Sequence, residues 1–222
     1  VGSVIGGILP LALGIAISPV PIIAAILMLL SPRARSTSIG FLFGWAVGVV
    51  LVVVAFSLLS SILPDRGDAS QPIAGGVQIA LGVLLLLLAV RTWRARARDD
   101  AEPPMPKWMT AIDSVTPARG ILLGFALAAV NPKNLLMGVA AGVAIGSGGL
   151  TFGESAIAVI LFALVAASTV AVPVIAYLAA SDRMATPLES LRQWLVHNND
   201  AIMAVLLLVI GVVLVGKGIG SF

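Results

Sequence analysis

The chain has 222 residues, 59% of them apolar and only 10% charged, with 13 lysines and arginines against 10 acids. Soluble domains carry about 25% charged residues, so this balance excludes a water-soluble globular enzyme. The absence of cysteine excludes disulfides, thiol redox chemistry and thiolate metal sites.

The charges are clustered. Residues 1–32, 36–64, 69–90, 155–181 and 201–216 carry no charged side chain, and 120–149 carries only Lys133. A bilayer core of about 30 Å takes roughly 20 helical residues to cross. The pattern predicts an all-α polytopic membrane protein with six transmembrane helices, near 4–30, 37–63, 73–92, 118–147, 153–180 and 200–219. Runs such as "LGVLLLLLAV" do not alternate apolar and polar residues, so they are not barrel strands.

The first expected span has no basic region before it and no clear small-residue cleavage site after it, so it reads as a retained span. It contains Ser18-Pro19-Val20-Pro21. The second carries Gly40, Gly44 and Gly48 at four-residue spacing, a small-residue stripe whose ordinary meaning is close helix packing. The third has one polar residue, Gln78, which suits a helix–helix contact. Residues 91–117 follow as a basic, proline-containing linker between a first three-helix repeat, 1–90, and a second, 118–222.

The fourth span holds the most unusual stretch, "FALAAVNPKNLLMGVAAG", and a second glycine stripe at Gly138, Gly142 and Gly146. In the fifth, Ser168 and Thr169 precede Pro173, where their hydroxyls are placed to bond the carbonyls that the proline frees, with the lining of a path as the alternative. Between the fifth and sixth spans, "PLESLRQWLVH" sets Leu188, Leu191, Trp194 and Leu195 on one face, as expected of a short interfacial helix over 187–197. "GVVLVGKG" at 211–218 nearly spells a phosphate-binding loop, but it lacks the final Ser or Thr and lies inside a span.

Six spans place Arg33, Arg35, Arg91, Arg94, Arg96, Arg98, Lys107, Arg119, Arg183 and Arg192 on one side. Arg66 and Lys217 fall on the other. Basic residues mark the cytoplasmic side, so both termini are expected to be extracytoplasmic. The basic excess thus reports topology and contact with anionic lipid rather than nucleic acid. Three spans per half also invert one half relative to the other. Ser18 precedes Gly40 by 22 residues and Asn131 precedes Gly153 by 22, which supports inverted repeats.

Proline in a helix removes a hydrogen bond and frees the carbonyl four residues earlier, here Ile15 for Pro19 and Ala128 for Pro132. Ser and Asn favour the N-cap position and proline the first helical position. Ser18-Pro19 and Asn131-Pro132 therefore read as helices restarting in mid-membrane, with a plain kink as the competing reading. Inverted halves would aim both new N-termini at one point, where unpaired amides attract anions. Lys133 adds a full charge there. A lysine deep in a span costs about 2.5–3.5 kcal/mol on insertion scales, so it is expected to have a function, against the alternative that it snorkels or rests on carbonyls. The candidate substrate site is Ser18, Pro19, Pro21, Asn131, Pro132, Lys133 and Asn134. No membrane-embedded carboxylate pair or metal-ligand cluster accompanies it, so neither an enzyme nor a cofactor is expected.

"GFALAAVNPKNLL", preceded by "PKWMTAIDSVTPARG", resembles the Asn-Pro-Lys region of the lysine exporter superfamily, specifically its GAP family of peptidoglycolipid-addressing proteins. "SPVPIIAAILMLLSPRARSTSIGFLFGWAVG" resembles that superfamily's first conserved block, and "WLVHNNDAIMAVLLLVIGVVLVGKGI" the GAP family's C-terminal block. Ser-Pro-Val-Pro departs from the glycine that amino-acid exporters often carry before the first proline. The resemblance implies a six-span bacterial plasma-membrane protein of two inverted repeats that exports an amphiphilic or anionic envelope glycolipid or a related small solute. The alternatives are a non-transporting accessory that couples a larger lipid exporter to its synthase, an amino-acid exporter, and a passive pore. Expected partners are membrane lipids, an anionic or amphiphilic substrate, a larger lipid exporter under the accessory reading, and a second copy of the chain.

Overall fold

Hydrocarbon offers no partner to a free amide, so apolar stretches of this kind close their backbone hydrogen bonds within helices. The structure is a computed structural model that describes residues 1–62, 71–96 and 115–220. These residues form eight helices and no strand: α1 (Gly2–Ala16), α2 (Pro19–Leu29), α3 (Ala34–Ile62), α4 (Gln71–Arg96), α5 (Pro117–Ala129), α6 (Pro132–Gly146), α7 (Phe152–Ala179) and α8 (Ser181–Ile219).

Three of them, α3, α7 and the Arg183–Gly216 part of α8, are long and apolar enough to cross a membrane. The bent pairs α1–α2 and α5–α6 each pass the same test jointly, which gives up to five spans. Against the six expected, the described residues thus support an all-helical protein with three to five. The third expected span is helical within α4 but is not among those five. Residues 187–197 do not form a separate helix: they run on without a break into the rest of α8. Pro187 lies inside that helix without ending it.

The described residues divide into two compact units, 1–62 with 115–194, and 71–96 with 195–220. In the first, α3 packs on both α5 and α6, while α7 packs on both α1 and α2. Apolar area gives little drive for helix association in lipid, so close backbone approach and dispersion must supply it. The glycine stripes supply that approach, as their spacing predicts. A Cβ at Gly40 would lie 2.7 Å from the Pro117 carbonyl oxygen, and one at Gly48 3.1 Å from that of Phe125. One at Gly44 would collide with the Ile121 carbonyl. From the facing side, Gly120 meets the Thr37 carbonyl at 2.8 Å, and Gly124 meets that of Phe41. Further along, Gly138 faces Val52, Gly142 faces the Val53 carbonyl at 2.6 Å, and Gly146 faces that of Ser57. Both chains advance together through these contacts, so α3 runs parallel to the α5–α6 pair.

Helix α7 begins with a capping box. The Thr151 hydroxyl accepts from the Glu154 amide, and the Glu154 carboxylate accepts from the Thr151 amide at 2.8 Å. Its Ala158, Phe162, Ala166, Val170 and Val174, four residues apart, form one buried stripe.

In the second unit, α4 and the C-terminal part of α8 meet at two glycines. A Cβ on Gly82 would lie 2.8 Å from the Gly211 carbonyl oxygen, and one on Gly211 3.0 Å from that of Gly82. The near phosphate-loop sequence at 211–218 is part of helix α8. Arg66, Arg98, Lys107, Trp108 and most of the expected linker lie outside the described residues, as do the side chains of Gln78, Arg96 and Lys217.

Candidate functional site

Both proline motifs break their helices. The chain bends by 50° between α1 and α2 and by 65° between α5 and α6. Ser18 (φ −70°, ψ 113°) and Asn131 (φ −61°, ψ 119°) are extended, and each is followed by proline at the first helical position. The residue before proline is sterically pushed out of the α region, and here that push separates two helices. Helix restart is therefore the observed outcome at both motifs, and a plain kink is not.

The two caps are not alike. The Asn131 Oδ1 accepts from the Lys133 amide at 3.1 Å, the expected N-cap bond. Ser18 makes no cap bond. Its hydroxyl donates instead to Asn134 Oδ1 at 3.0 Å, and it accepts from Lys133 Nζ at 2.9 Å. The restart of the first broken helix thus touches the restart of the second. Asn134 is 1% exposed and Ser18 5%. Lys133 is half-buried, and among the described residues no carboxylate pairs with it.

The two freed carbonyls fare differently from each other. The Ile15 carbonyl accepts from the Ser18 amide at 3.1 Å, so the chain turns tightly and recaptures it locally. In α5, the Ala126 carbonyl takes both the Val130 and Asn131 amides, at 2.8 and 3.2 Å. The Leu127 carbonyl receives Asn134 Nδ2 at 2.9 Å. Asn134 therefore bonds to α5 and to Ser18 at once, which uses its amide as both donor and acceptor. Among the described residues no bond to the Ala128 carbonyl, the one expected to need a partner, is observed.

Thr169 was expected to bond within its own helix. Its hydroxyl instead donates to the Ala16 carbonyl at the end of α1. Ser168 does bond its own helix, donating to the Val165 carbonyl at 2.7 Å. Thr169 thus ties α7 to the end of α1; its position four residues before Pro173 suggests a local partner, and nothing in the sequence marks Ala16. One turn beyond Asn134, buried Met137 fills the space at Gly14, seating α6 against α1.

Of the candidate residues, Ser18, Lys133 and Asn134 are joined directly and Asn131 caps the same helix end. Pro19 and Pro21 are buried beside them, while Pro132 is exposed. The two prolines also limit what α2 offers an anion. Neither has an N–H, which leaves Val20 as the one amide donor among the first three helical positions. The positive end of this site is therefore carried by Lys133 and α6 rather than by two equivalent helix termini. A cavity of about 540 Å³ elsewhere in the same unit is lined by Leu30, Ala185, Thr186, Glu189, Ser190 and Gln193, and contains none of these residues.

Apolar helices, two of them broken at proline and joined through a buried polar cluster, define a multi-pass α-helical membrane protein. The chain belongs to the family described as Sap, sulfolipid-1-addressing protein, whose model matches residues 8–220. No curated protein and no solved structure matches it.

Proposed function

We propose that the protein is a transporter that carries an anionic, amphiphilic envelope lipid across a bacterial plasma membrane, with the lipid headgroup held at Lys133. The observation that carries this reading is the contact of Lys133 with Ser18. It places an ammonium group, without a carboxylate partner among the described residues, where two broken helices meet. Burying a charge there is costly unless an anion completes it. The ammonium has three donors and Ser18 takes one. An acidic headgroup can accept the others. The family's description, sulfolipid-1-addressing, supports a sulfated lipid as the class of substrate.

The architecture behind this proposal is six spans in two inverted repeats, with both termini outside the cytoplasm. Its support is that α3 of the first half packs along the broken pair α5–α6, while α7 of the second half packs on the broken pair α1–α2. The parallel run of α3 and α5–α6 is also what inverted three-span halves require. The test is transport by the purified protein in liposomes, read as transbilayer movement of a sulfated glycolipid (sulfatide) against neutral galactosylceramide. Protein-dependent movement of the sulfated lipid supports the reading. Binding of sulfatide without movement would replace the transporter by an accessory.

A further inference from the structure

Trp45, on α3, is completely buried, yet its indole N–H has no hydrogen-bond partner among the described residues. An indole nitrogen only donates, and a buried donor left unpaired is costly enough that native structures rarely keep one.

Two routes place Trp45 near the Ser18–Lys133–Asn134 cluster. Helices α2 and α3 pack together across a four-residue turn, which makes them antiparallel neighbours. Ser18 stands 11 residues before Leu29 (29 − 18), and Trp45 stands 11 residues after Ala34 (45 − 34), so the equal rise of the two helices brings them level. Independently, a Cβ at Gly124 would lie 2.8 Å from the Trp45 backbone nitrogen, and Leu127, one turn on, takes the Asn134 amide.

We infer that Trp45 is a further substrate-binding residue, whose indole N–H donates to an uncharged oxygen of the lipid headgroup next to the acidic group at Lys133. The inference rests on the transport reading above. It predicts a headgroup with a hydroxyl, ester or ether oxygen beside its anion, as a sugar carrying an acidic ester has. A bare fatty-acid carboxylate has no uncharged oxygen beside its anion.

The decisive measurement is the indole N–H signal of Trp45 in the wild-type protein, resolved from the other three tryptophans and followed by ¹⁵N NMR in micelles during titration with sulfatide. A downfield shift that saturates with binding is expected. Trp45→Phe, which keeps an aromatic ring and deletes the N–H, should weaken sulfatide binding about 5-fold while leaving oleate binding unchanged. If sulfatide binds and the Trp45 signal stays still, or if that signal shows a fixed water contact that the lipid does not displace, the inference is overturned and the Lys133 site survives. If Lys133→Met leaves sulfatide binding at its wild-type level, the underlying reading fails, and this inference with it.

Discussion

Ser18 and Asn134, 116 positions apart in the chain, share a 3.0 Å hydrogen bond at the restart points of two different broken helices. Ser18 makes no cap bond to its own helix, whose third position is Pro21 and has no amide to give. The first restart is thereby held by the second, and the charge of Lys133 is lodged at the junction.

Lys133 is expected to separate function from folding. Lys133→Met should abolish binding and transport of an anionic lipid while the protein still expresses and folds, since the apolar side chain removes a desolvation cost. Lys133→Arg should also fare badly, because a planar fork does not replace a compact ammonium against Ser18. Ligand-induced thermal stabilisation should rank wild type first, Asn131→Ala second, and both Lys133 variants last. Wild-type affinity in Lys133→Met would remove the anion site.

Asn134 is expected to behave in the opposite way. Asn134→Ala leaves the part-buried Leu127 carbonyl and the buried Ser18 hydroxyl each short of a partner, a loss of up to about 1–3 kcal/mol for each group. Asn131→Ala removes only a cap, worth about 0.5–2 kcal/mol. Unfolding of the purified variants should therefore show Asn134→Ala as the weaker protein. Equal stability of the two would mean that Asn134 does not tie α5 to Ser18.

Much of this was legible in the sequence, and the boundary follows a physical line. Local steric rules act within a few residues, so the restarts at Pro19 and Pro132 and the Asn131 cap could be read directly. The glycine stripes also declared themselves, because a four-residue period of small residues has few uses besides packing. Partners across helices leave no such trace. Ser18 looks like a cap until Asn134 is placed beside it, and Thr169 looks tied to Pro173 until α1 is set against α7. The continuous α8 was missed for a related reason: an amphipathic run followed by an apolar one suggests two helices, but nothing between them stops a helix from passing through. The lipid-facing or partner-facing role of a proline is likewise a tertiary property, which is why buried Pro19 and exposed Pro132 looked equivalent.

The glycine contacts make a graded prediction. Gly124→Ala would drive a methyl into the Phe41 carbonyl, and Gly44→Ala would drive one into that of Ile121. Backbone cannot step aside as a side chain can, so each should lower the unfolding temperature measurably or prevent folding. Gly6→Ala meets nothing within 4 Å and should leave the temperature unchanged or slightly raised, given the better helix propensity of alanine. Unfolding in detergent, followed by circular dichroism, gives the ranking.

Topology can be tested without background, since the chain has no native cysteine. A cysteine at Ala101 should resist a membrane-impermeant reagent in intact cells and react once the cells are opened, because the basic residues favour that side ten to two. Labelling in intact cells would reverse the orientation.

The two broken helices contribute unequally to the proposed headgroup site. One brings prolines, a single first-turn amide and a hydroxyl; the other brings the ammonium and both carboxamides. If the halves exchange conformations to open first one face and then the other, the cargo's charge remains with the second half throughout. The two openings then differ in energy even with no gradient applied. Such a built-in imbalance would give the two openings different affinities for the headgroup, while net movement would still follow the gradient or sink that draws the cargo away.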